Sequence, residues 1–223
     1  LIKVLEWSIV VLNQIIARIA SLEQFIFENI AMNLTLMFGW YLMIVAVVVW
    51  FEKPNFKRLS TALIAVVALQ GIAIGTRRGI ESASEWIVFN QWKSTLVAER
   101  IGRDIFVYGG LATKENKMLQ TYATANFSQI KKHRPLRNVA YFDQQKILII
   151  DSLGICPKVQ NPDVLLLHQS PKINLERMLQ ESKPKVIVAD ASNYKSYVKL
   201  WKATCAKYKI PFHATAEMGY FKL

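Results

Sequence analysis

Three histidines, His133, His168 and His213, are the candidate metal ligands of this 223-residue chain. None lies within four residues of another, and the sequence contains neither an HxH nor a DH pair. A hydrolytic zinc site needs three protein ligands and an open position for water. His168, Asp190 and His213 form such a set only if strand ends bring them together. The ordinary alternative for His168 is a strand-end histidine hydrogen-bonded to backbone, and His133 lies in a basic stretch, KKHRP.

Other common catalytic motifs are absent from the sequence. There is no GxSxG nucleophile motif, and neither GxxxxGK[ST] nor GxGxxG occurs, so no nucleotide site is indicated. Cys156 and Cys205 are 49 residues apart and form no CxxC motif, which leaves a single disulfide open. Cys156 precedes Pro157 and needs a nearby histidine to act as a nucleophile. The sequence predicts no cofactor.

Positive charge is the feature that points to binding. The formal net charge is +12, and residues 79–223 carry +9 of it. Basic side chains in two clusters could follow the phosphates of single-stranded DNA, the second cluster lying on one face of a predicted helix. A solvated surface and charge kept for solubility are the alternatives. The candidate DNA-binding residues are Lys131, Lys132, Arg134, Arg137, Lys195, Lys199 and Lys202.

The chain divides by composition into two parts, which must position these residues. Residues 1–78 contain eleven charged side chains, whereas residues 79–223 contain 33. We therefore predict membrane-associated helices in residues 1–78 and a soluble domain in residues 79–223. Apolar residues at helical spacing predict an amphipathic helix over residues 1–27, of a kind that lies in a headgroup layer or packs on other helices.

Two uncharged runs follow this helix. Residues 29–51 carry no charge over 23 positions, which at 1.5 Å per residue extends about 34 Å, enough to cross a bilayer core. A second uncharged run covers residues 59–75, and two arginines follow it. These runs predict a transmembrane hairpin with spans at about 30–51 and 59–76. A buried helical pair inside a larger soluble protein is the alternative.

The second part alternates short apolar runs with helical patterns, and strands first with βαβ alternation later favours a layered α/β sandwich. Continuous apolar runs such as VLLL are typical of strands covered on both faces. Helices are predicted over 114–131, over 174–182, and from a cap at Ser192 or Asn193 to about Tyr208. Strands are predicted at 85–90, 94–99, 104–110, 137–142, 146–151, 163–168 and 185–190, with a final pair at 211–213 and 219–223.

Several stretches of this second part are similar to one known family. KILIIDSLG (146–154) resembles a strand that ends in Asp before a glycine-containing turn, and VLLLHQS (164–170) resembles a strand that normally ends in paired histidines. KPKVIVADASN and YKIPFHATAEMGYFKL resemble a closing strand, helix and final hairpin. With the preceding membrane hairpin, they resemble the C-terminal part of the ComEC-type competence proteins, inner-membrane channels that take up DNA in naturally transformable bacteria.

The resemblance implies a helical membrane domain followed by a domain of the metallo-β-lactamase fold. That fold's signature cluster, HxHxDH with further ligands, is absent here. The expected fold is therefore a transmembrane helical hairpin followed by a degenerate, metallo-β-lactamase-like layered α/β sandwich. We interpret the soluble domain as non-catalytic, guiding DNA or bracing the channel. A divergent metal-dependent nuclease or hydrolase and a structural interaction domain are the alternatives.

The resemblance also implies a location and partners. We expect a multi-pass protein of the bacterial inner membrane, with the soluble domain on the extracytoplasmic side. Basic residues are nearly balanced between the two sides of the hairpin, so charge leaves the orientation open. The expected partners are single-stranded DNA, the lipid bilayer, the remainder of the channel polypeptide and other competence components.

Overall fold

The computed structural model describes residues 2–20, 30–109, 116–157 and 161–223. The chain forms two compact units, Leu1–Ala31 and Met32–Leu223. In the first unit, helix α1 covers Ile2–Ala20, and side chains such as Trp7 and Leu12 are exposed. The amphipathic helix predicted over residues 1–27 is therefore helical as far as Ala20. The rest of that prediction lies outside the described residues.

The second unit begins with two long apolar helices in contact, α2 (Leu34–Glu52) and α3 (Phe56–Glu81). By length and composition, both are candidate membrane spans. Large apolar side chains project outward from them, as at Leu42 and Ile64, each 68% exposed. Exposed apolar side chains on both helices are what lipid contact requires. The predicted hairpin is thus present as two contacting apolar helices.

The helix ends differ from the predicted spans for local reasons. α2 begins at Leu34 rather than near residue 30 because Asn33 caps it, accepting a hydrogen bond from the Leu36 N–H at 2.8 Å. α3 begins at Phe56 and continues to Glu81, beyond the predicted end at residue 76. The boundary predicted between residues 78 and 79 lies within α3 and stays a prediction.

Two polar contacts join α2 to α3 near opposite ends of the pair. Asn33 Nδ2 donates to Thr76 Oγ1 at 3.3 Å, and Arg58 Nη1 donates to the Val49 carbonyl at 3.1 Å. Lipid tails are as apolar as leucine, so helices in a membrane associate through close packing and interhelical hydrogen bonds. These two contacts therefore fix the antiparallel register of the hairpin.

A close approach at Gly39 lets the two helices pack. Gly39 is buried in α2, and a Cβ atom there would lie 2.9 Å from Leu69 Cδ1 and 3.3 Å from Ile72 Cδ1. A side chain at this position would displace both α3 residues. Gly71, on α3, is different, because a Cβ atom there would meet nothing within 4 Å.

The remainder of the second unit contains two five-stranded sheets. Its strands are β1 (Ser84–Val88), β2 (Val97–Ile101), β3 (Asp104–Tyr108), β4 (Gln129–Arg134), β5 (Val139–Phe142), β6 (Gln145–Ile150), β7 (Val164–Leu167), β8 (Val186–Ala189), β9 (Phe212–Ala214) and β10 (Phe221–Lys222). Sheet 1 has the order β10-β1-β2-β3-β4, with only its β3–β4 pair parallel. Sheet 2 has the order β5-β6-β7-β8-β9, with only its β5–β6 pair antiparallel.

Apolar packing arranges these elements in four layers. The inner faces of the sheets meet through side chains such as Trp86 and Val88 from sheet 1 and Ile147 and Leu166 from sheet 2. One helix packs on the outer face of sheet 1 and two pack on the outer face of sheet 2. The mixed α/β sandwich with two sheets is thereby confirmed. The helices are α4 (Lys117–Ala125), α5 (Leu175–Glu181), α6 (Lys195–Tyr208) and the short α7 (Thr215–Met218).

Two predictions for residues 79–223 were wrong in detail. The helix predicted over 114–131 ends at Ala125, and residues 129–134 form strand β4 instead. β4 pairs in parallel with β3, so tertiary pairing overrides a polar sequence that shows no alternation. The final pair is not a hairpin, because β9 joins sheet 2 beside β8 while β10 joins sheet 1 beside β1.

The cap predicted for α6 was also wrong. Tyr194 occupies the N-cap position without a side-chain capping bond. Ser192 and Asn193 direct their side chains to the loops after β7 and β8 instead. The predicted end of the helix at Tyr208 is correct, and Lys209 follows in the left-handed conformation.

An ionic cluster around the buried Arg100 helps to fix the last strand to the first. Glu85 on β1 accepts hydrogen bonds from Tyr122 Oη at 2.6 Å and Lys222 Nζ at 2.5 Å, and it pairs with Arg100 Nη2 at 2.9 Å. Burial alone would raise the pKa of Glu85, but these partners lower it to about 2. Glu85 therefore stays charged at neutral pH, and β10 is held to β1 by an ion pair as well as by the strand ladder.

We predict that Gly39→Val destabilises the chain in detergent micelles by about 1–3 kcal/mol, the usual cost of overpacking. The added methyl groups would force apart α2 and Leu69 on α3. Gly71→Val is the matched control, because that position is open. The free energy of unfolding, measured by SDS titration, should fall for Gly39→Val well beyond the control. Equal losses for the two variants would contradict the packing described for Gly39.

We also predict that Glu85→Gln lowers the free energy of unfolding by about 3 kcal/mol, because it leaves Arg100 buried without a charged partner. Arg100 is 4% exposed. Glu217→Gln is the control: its pair with Lys202 is half exposed, and its loss should cost under about 1 kcal/mol. Denaturant titration of both variants measures the difference. Losses of similar size would show that the Glu85 cluster contributes no more than a surface pair.

Candidate functional site

The first group of candidate DNA-binding residues, here called the β4 basic cluster, consists of Lys131, Lys132, Arg134 and Arg137. The first three lie on β4, the edge strand of sheet 1, and Arg137 follows in the connection to β5. All four side chains are exposed. Lys131 Nζ lies 3.6 Å from Asp104 Oδ1, and because both side chains are about half exposed, this ion pair contributes little to stability. The structure therefore brings four cations together along one open edge.

Arg134 is held in place by aromatic neighbours. Its guanidinium lies 4.3 Å from the centroid of the Phe106 ring, and its Nη1 donates to Tyr108 Oη at 3.5 Å. Tyr108 in turn donates to Glu99 Oε2 at 2.5 Å. Burial and this bond to Glu99 raise the pKa of Tyr108, so the phenol stays protonated. These contacts restrict the arginine side chain while leaving it exposed.

A cavity of about 480 Å³ lies beside Arg134, between the β4–β5 connection and the inner faces of the two sheets. Arg134 and Arg137 contribute to its wall, together with Tyr108 and Tyr141. Tyr141, one of these lining residues, is 68% exposed and therefore accessible to solvent. Two guanidinium groups and an accessible ring are a combination that binds a phosphate and stacks on a base.

The second group of candidate residues, Lys195, Lys199 and Lys202, lies on α6. The three lysines are exposed, and another face of the helix is buried through Val198, Trp201 and Cys205 on the outer face of sheet 2. Lys202 Nζ lies 2.6 Å from Glu217. Helix α6 packs on sheet 2, whereas β4 is the edge strand of sheet 1. The two predicted groups of basic residues therefore lie in different layers.

The carboxyl ends of β7 and β8 carry a polar network that joins three loops. His168 follows β7 and is 7% exposed, and its Nδ1 lies 3.2 Å from Thr95 Oγ1. Thr95 donates to Ser192 Oγ at 3.3 Å, and Ser192 donates to Asp190 Oδ1. Hydrogen bonds thus connect His168 to Asp190 through two hydroxyl groups.

Side chains after β8 also hold the loop after β7. Asn193 Nδ2 donates to the Leu167 carbonyl at 2.7 Å, and Asn193 Oδ1 accepts from the Ser170 N–H at 2.8 Å. Ser192 Oγ accepts from the Gln169 N–H at 2.7 Å. Gln169 and Ser170 have φ angles of 58° and 56°, in the left-handed region that glycine prefers. The side-chain bonds stabilise this turn against its backbone cost.

Asp190 is a buried carboxyl group with a raised pKa. It is 1% exposed, and its Oδ2 atom is buried without a hydrogen-bond partner among the described residues. Burial raises the pKa of Asp190 to about 6, although hydrogen bonds from Ser192 oppose this effect. Burial likewise lowers the pKa of His168, against the attraction of Asp151. Both groups are therefore shifted toward their neutral forms.

The three candidate metal ligands do not converge. His213 Nε2 lies 3.0 Å from the Gly219 carbonyl, and its ring packs beside Phe221, so it belongs to the C-terminal turn. His168 Nδ1 and Asp190 Oδ1 are engaged in the polar network. Among the described residues, no three His, Cys, Asp or Glu side chains are placed to hold a metal ion. The donor set present in these ranges does not fit the metal centre that the expected fold implies.

Sequence reasoning missed Thr95 and the roles of Ser192 and Asn193. A usable signal existed for the last two, because polar residues that follow neighbouring parallel strands meet at one sheet edge. Thr95 comes from the other sheet, 73 residues before His168, and nothing local marks it. The disulfide left open by the sequence does not form, since Cys156 is a free exposed thiol and Cys205 a free buried one.

We predict that Asp190→Asn changes how stability depends on pH. A folded-state pKa raised from 3.8 to about 6 means that the native state binds the proton more tightly. Asp190 therefore contributes stability at low pH that is lost as pH rises through about 6, roughly 2 kcal/mol between pH 4.5 and 7. Asp190→Asn should gain that amount relative to wild type over this interval, measured by denaturant titration. A difference that does not change with pH would contradict the buried charge.

Comparison with known proteins bears on the second unit. The model of a protein family described as the ComEC C-terminal domain matches residues 86–223. Searches of curated proteins and of solved structures gave no match. The matched residues run from β1 to the end of the chain and include both sheets, the polar network and both groups of basic residues. More than half of the chain is covered, and the chain therefore belongs to the ComEC family of competence membrane proteins, whose C-terminal domain it carries.

Proposed function

We propose that the soluble domain guides single-stranded DNA along its β4 edge, without catalysing hydrolysis, as part of an inner-membrane DNA uptake protein. Membership of a competence-protein family and two candidate membrane helices support the transport context. The observation that carries the DNA role is the cavity beside the β4 basic cluster, whose lining residues include two arginines and an exposed tyrosine.

The chemistry of this edge suits a single strand better than a duplex. Non-specific binding of single strands combines cations for the phosphates with aromatic faces for the bases. Arg134 and Arg137 supply the first, and the 68% exposed ring of Tyr141 supplies the second. The contact of Arg134 with Phe106 reduces the side-chain freedom lost on binding. A volume of about 480 Å³ is also in the range that small ligands occupy.

The lysines of α6 are a second contact surface in this proposal. Lys195 and Lys199 are exposed cations, and Tyr194 beside them is 70% exposed, but neither lysine lines the cavity at α6 that Tyr197 and Trp201 border. Lys202 forms an ion pair with Glu217, whose Oε2 lies 2.6 Å from Lys202 Nζ. We therefore assign the main contact to the β4 basic cluster and a weaker, electrostatic contact to α6.

The fold supports a non-catalytic assignment within a metallo-β-lactamase-like ancestry. Two sheets packed between outer helices, with polar residues at the carboxyl ends of β7 and β8, suit a degenerate domain of that type. Where metal ligands are expected, Asp190, Ser192 and Thr95 bind one another. The domain would then guide DNA or brace the channel, together with the remainder of the polypeptide and other competence components, on the extracytoplasmic side of the inner membrane.

The DNA role predicts a difference between two variants matched for charge. In neutral-lipid nanodiscs, Arg134→Gln/Arg137→Gln should weaken binding of a fluorescent oligothymidylate at least tenfold at low salt. Losing two phosphate contacts should also reduce the slope of log K against log salt by about 1–1.5. Lys195→Gln/Lys199→Gln removes the same charge and should weaken binding less than threefold. Fluorescence anisotropy over a salt series measures both quantities.

Two outcomes would contradict the proposal. An absence of oligothymidylate binding by the unmodified chain at low salt would remove the DNA role. A larger loss for the α6 variant than for the arginine variant would show that the β4 basic cluster is not the main interface.

Tyr141→Ala tests stacking separately, since it leaves the charge unchanged and should still weaken binding severalfold.

A further inference from the structure

The connection between α3 and the soluble domain is very short. Only Ser82 and Ala83 separate the end of α3 at Glu81 from the start of β1 at Ser84. Both connecting residues bond to the last turn of the helix, Ser82 N–H to the Arg78 carbonyl at 3.3 Å and Ala83 N–H to the Ile80 carbonyl at 3.1 Å. Such a connection holds the domain directly on the helix end.

The turn between β2 and β3 packs against the same helix end. Gly102 N–H donates to the Ala83 carbonyl at 2.8 Å. A Cβ atom on Gly102, whose φ is +59°, would lie 3.1 Å from the Glu81 carbonyl oxygen. Glycine is therefore needed both for the left-handed turn and for close contact with α3. This turn exposes Ile101, which is 54% accessible, and Arg103.

Helix geometry places this turn at the level of lipid headgroups. The uncharged segment of α3 ends before Arg77, and Glu81 lies four residues farther, about 6 Å along the axis. The headgroup layer adds about 5–7 Å to each side of the hydrocarbon core. If Arg77 marks the edge of that core, Glu81 and the turn packed on it lie within the headgroup layer.

We propose that the turn Ile101–Arg103 rests on the leaflet in which α3 ends and binds anionic phospholipid headgroups there. Ile101 would contact the boundary between headgroups and acyl chains, and Arg103 would bind lipid phosphate. Arg77 and Arg78 lie on the same side as Arg103, and the opposing charges nearby are Glu81 and Asp104, so three arginines face two carboxylates. The net positive charge of this group favours anionic lipid. The proposal rests on α3 crossing the membrane and is independent of DNA binding.

The opposite end of the domain offers an internal control. β1 runs away from α3 and β2 returns, so Thr95, just before β2, lies at the distal end. Thr95 contacts His168 at the carboxyl end of β7, and β6 runs parallel to β7. In the connection after β6, the Ile155 carbonyl accepts from Asn138 Nδ2 at 3.5 Å, and Asn138 bonds to Ile149 near the distal end of β6, so the exposed Cys156 that follows lies toward this end as well.

The test places an environment-sensitive NBD label at three positions of the chain in nanodiscs containing nitroxide headgroup lipids or acyl-chain nitroxide lipids. Ile101→Cys and Ile64→Cys are each made with Cys156→Ser, and Cys156 itself is labelled in the native sequence. We expect headgroup nitroxides to quench position 101 at least twofold more than Cys156, and acyl-chain nitroxides to quench position 64. Raising the anionic lipid fraction should increase quenching at position 101, and Arg103→Glu should abolish that increase.

The outcomes separate the proposal from its premise. Quenching at position 64 with solvent-like emission at position 101 would overturn the contact of the turn while leaving α3 in the membrane. A lack of quenching at position 64 would overturn both. If quenching at position 101 changes neither with the anionic lipid fraction nor in the Arg103→Glu variant, the assignment to anionic headgroups would be overturned.

Discussion

Apolar contact between the two sheets is the constraint on which the rest of the domain depends. Strands β6 to β8 are buried on both faces, as β6 shows: Ile147 and Ile149 face sheet 1, whereas Leu148 and Ile150 face α5 and α6. Strands used for packing on both sides leave only their ends and the sheet edges for polar chemistry. The polar network accordingly lies at the strand ends, and the β4 basic cluster lies at an edge.

Hydrogen bonds of the polar network hold the loops at one end of the sandwich together. Thr95 from sheet 1 and Ser192 from sheet 2 connect loops that the strand ladders do not join. Satisfied networks in a low-dielectric interior specify one arrangement strongly, whereas a buried atom such as Asp190 Oδ2, which has no hydrogen-bond partner among the described residues, is costly. The loops after β7 and β8 are therefore fixed by hydrogen bonds that their own side chains make.

The sequence predicted those elements whose signal is local. The runs VLLL and VIVA identified β7 and β8 because buried parallel strands are continuously apolar. β4 was missed because QIKKHR shows no alternation, its exposed residues being placed by pairing with β3. The candidate DNA-binding site divides in the same way. Its basic residues could be identified from the sequence, but the cavity and the place of Tyr141 in its lining depend on contacts between the sheets. No local pattern relates Thr95 to His168 across 73 residues.

The direction of β4 links the membrane helices to the proposed DNA edge. The Gln129 N–H donates to the Arg103 carbonyl at 2.7 Å, so β4 begins beside the turn that packs on the end of α3. From there it runs parallel to β3, away from the helix, and at about 3.3 Å per residue Arg134 lies roughly 17 Å farther. The basic cluster therefore forms a row that leads outward from the end of α3. A DNA strand bound along this row would be directed toward the membrane helices. A row of basic residues lying across the helix end would only hold the DNA at the surface.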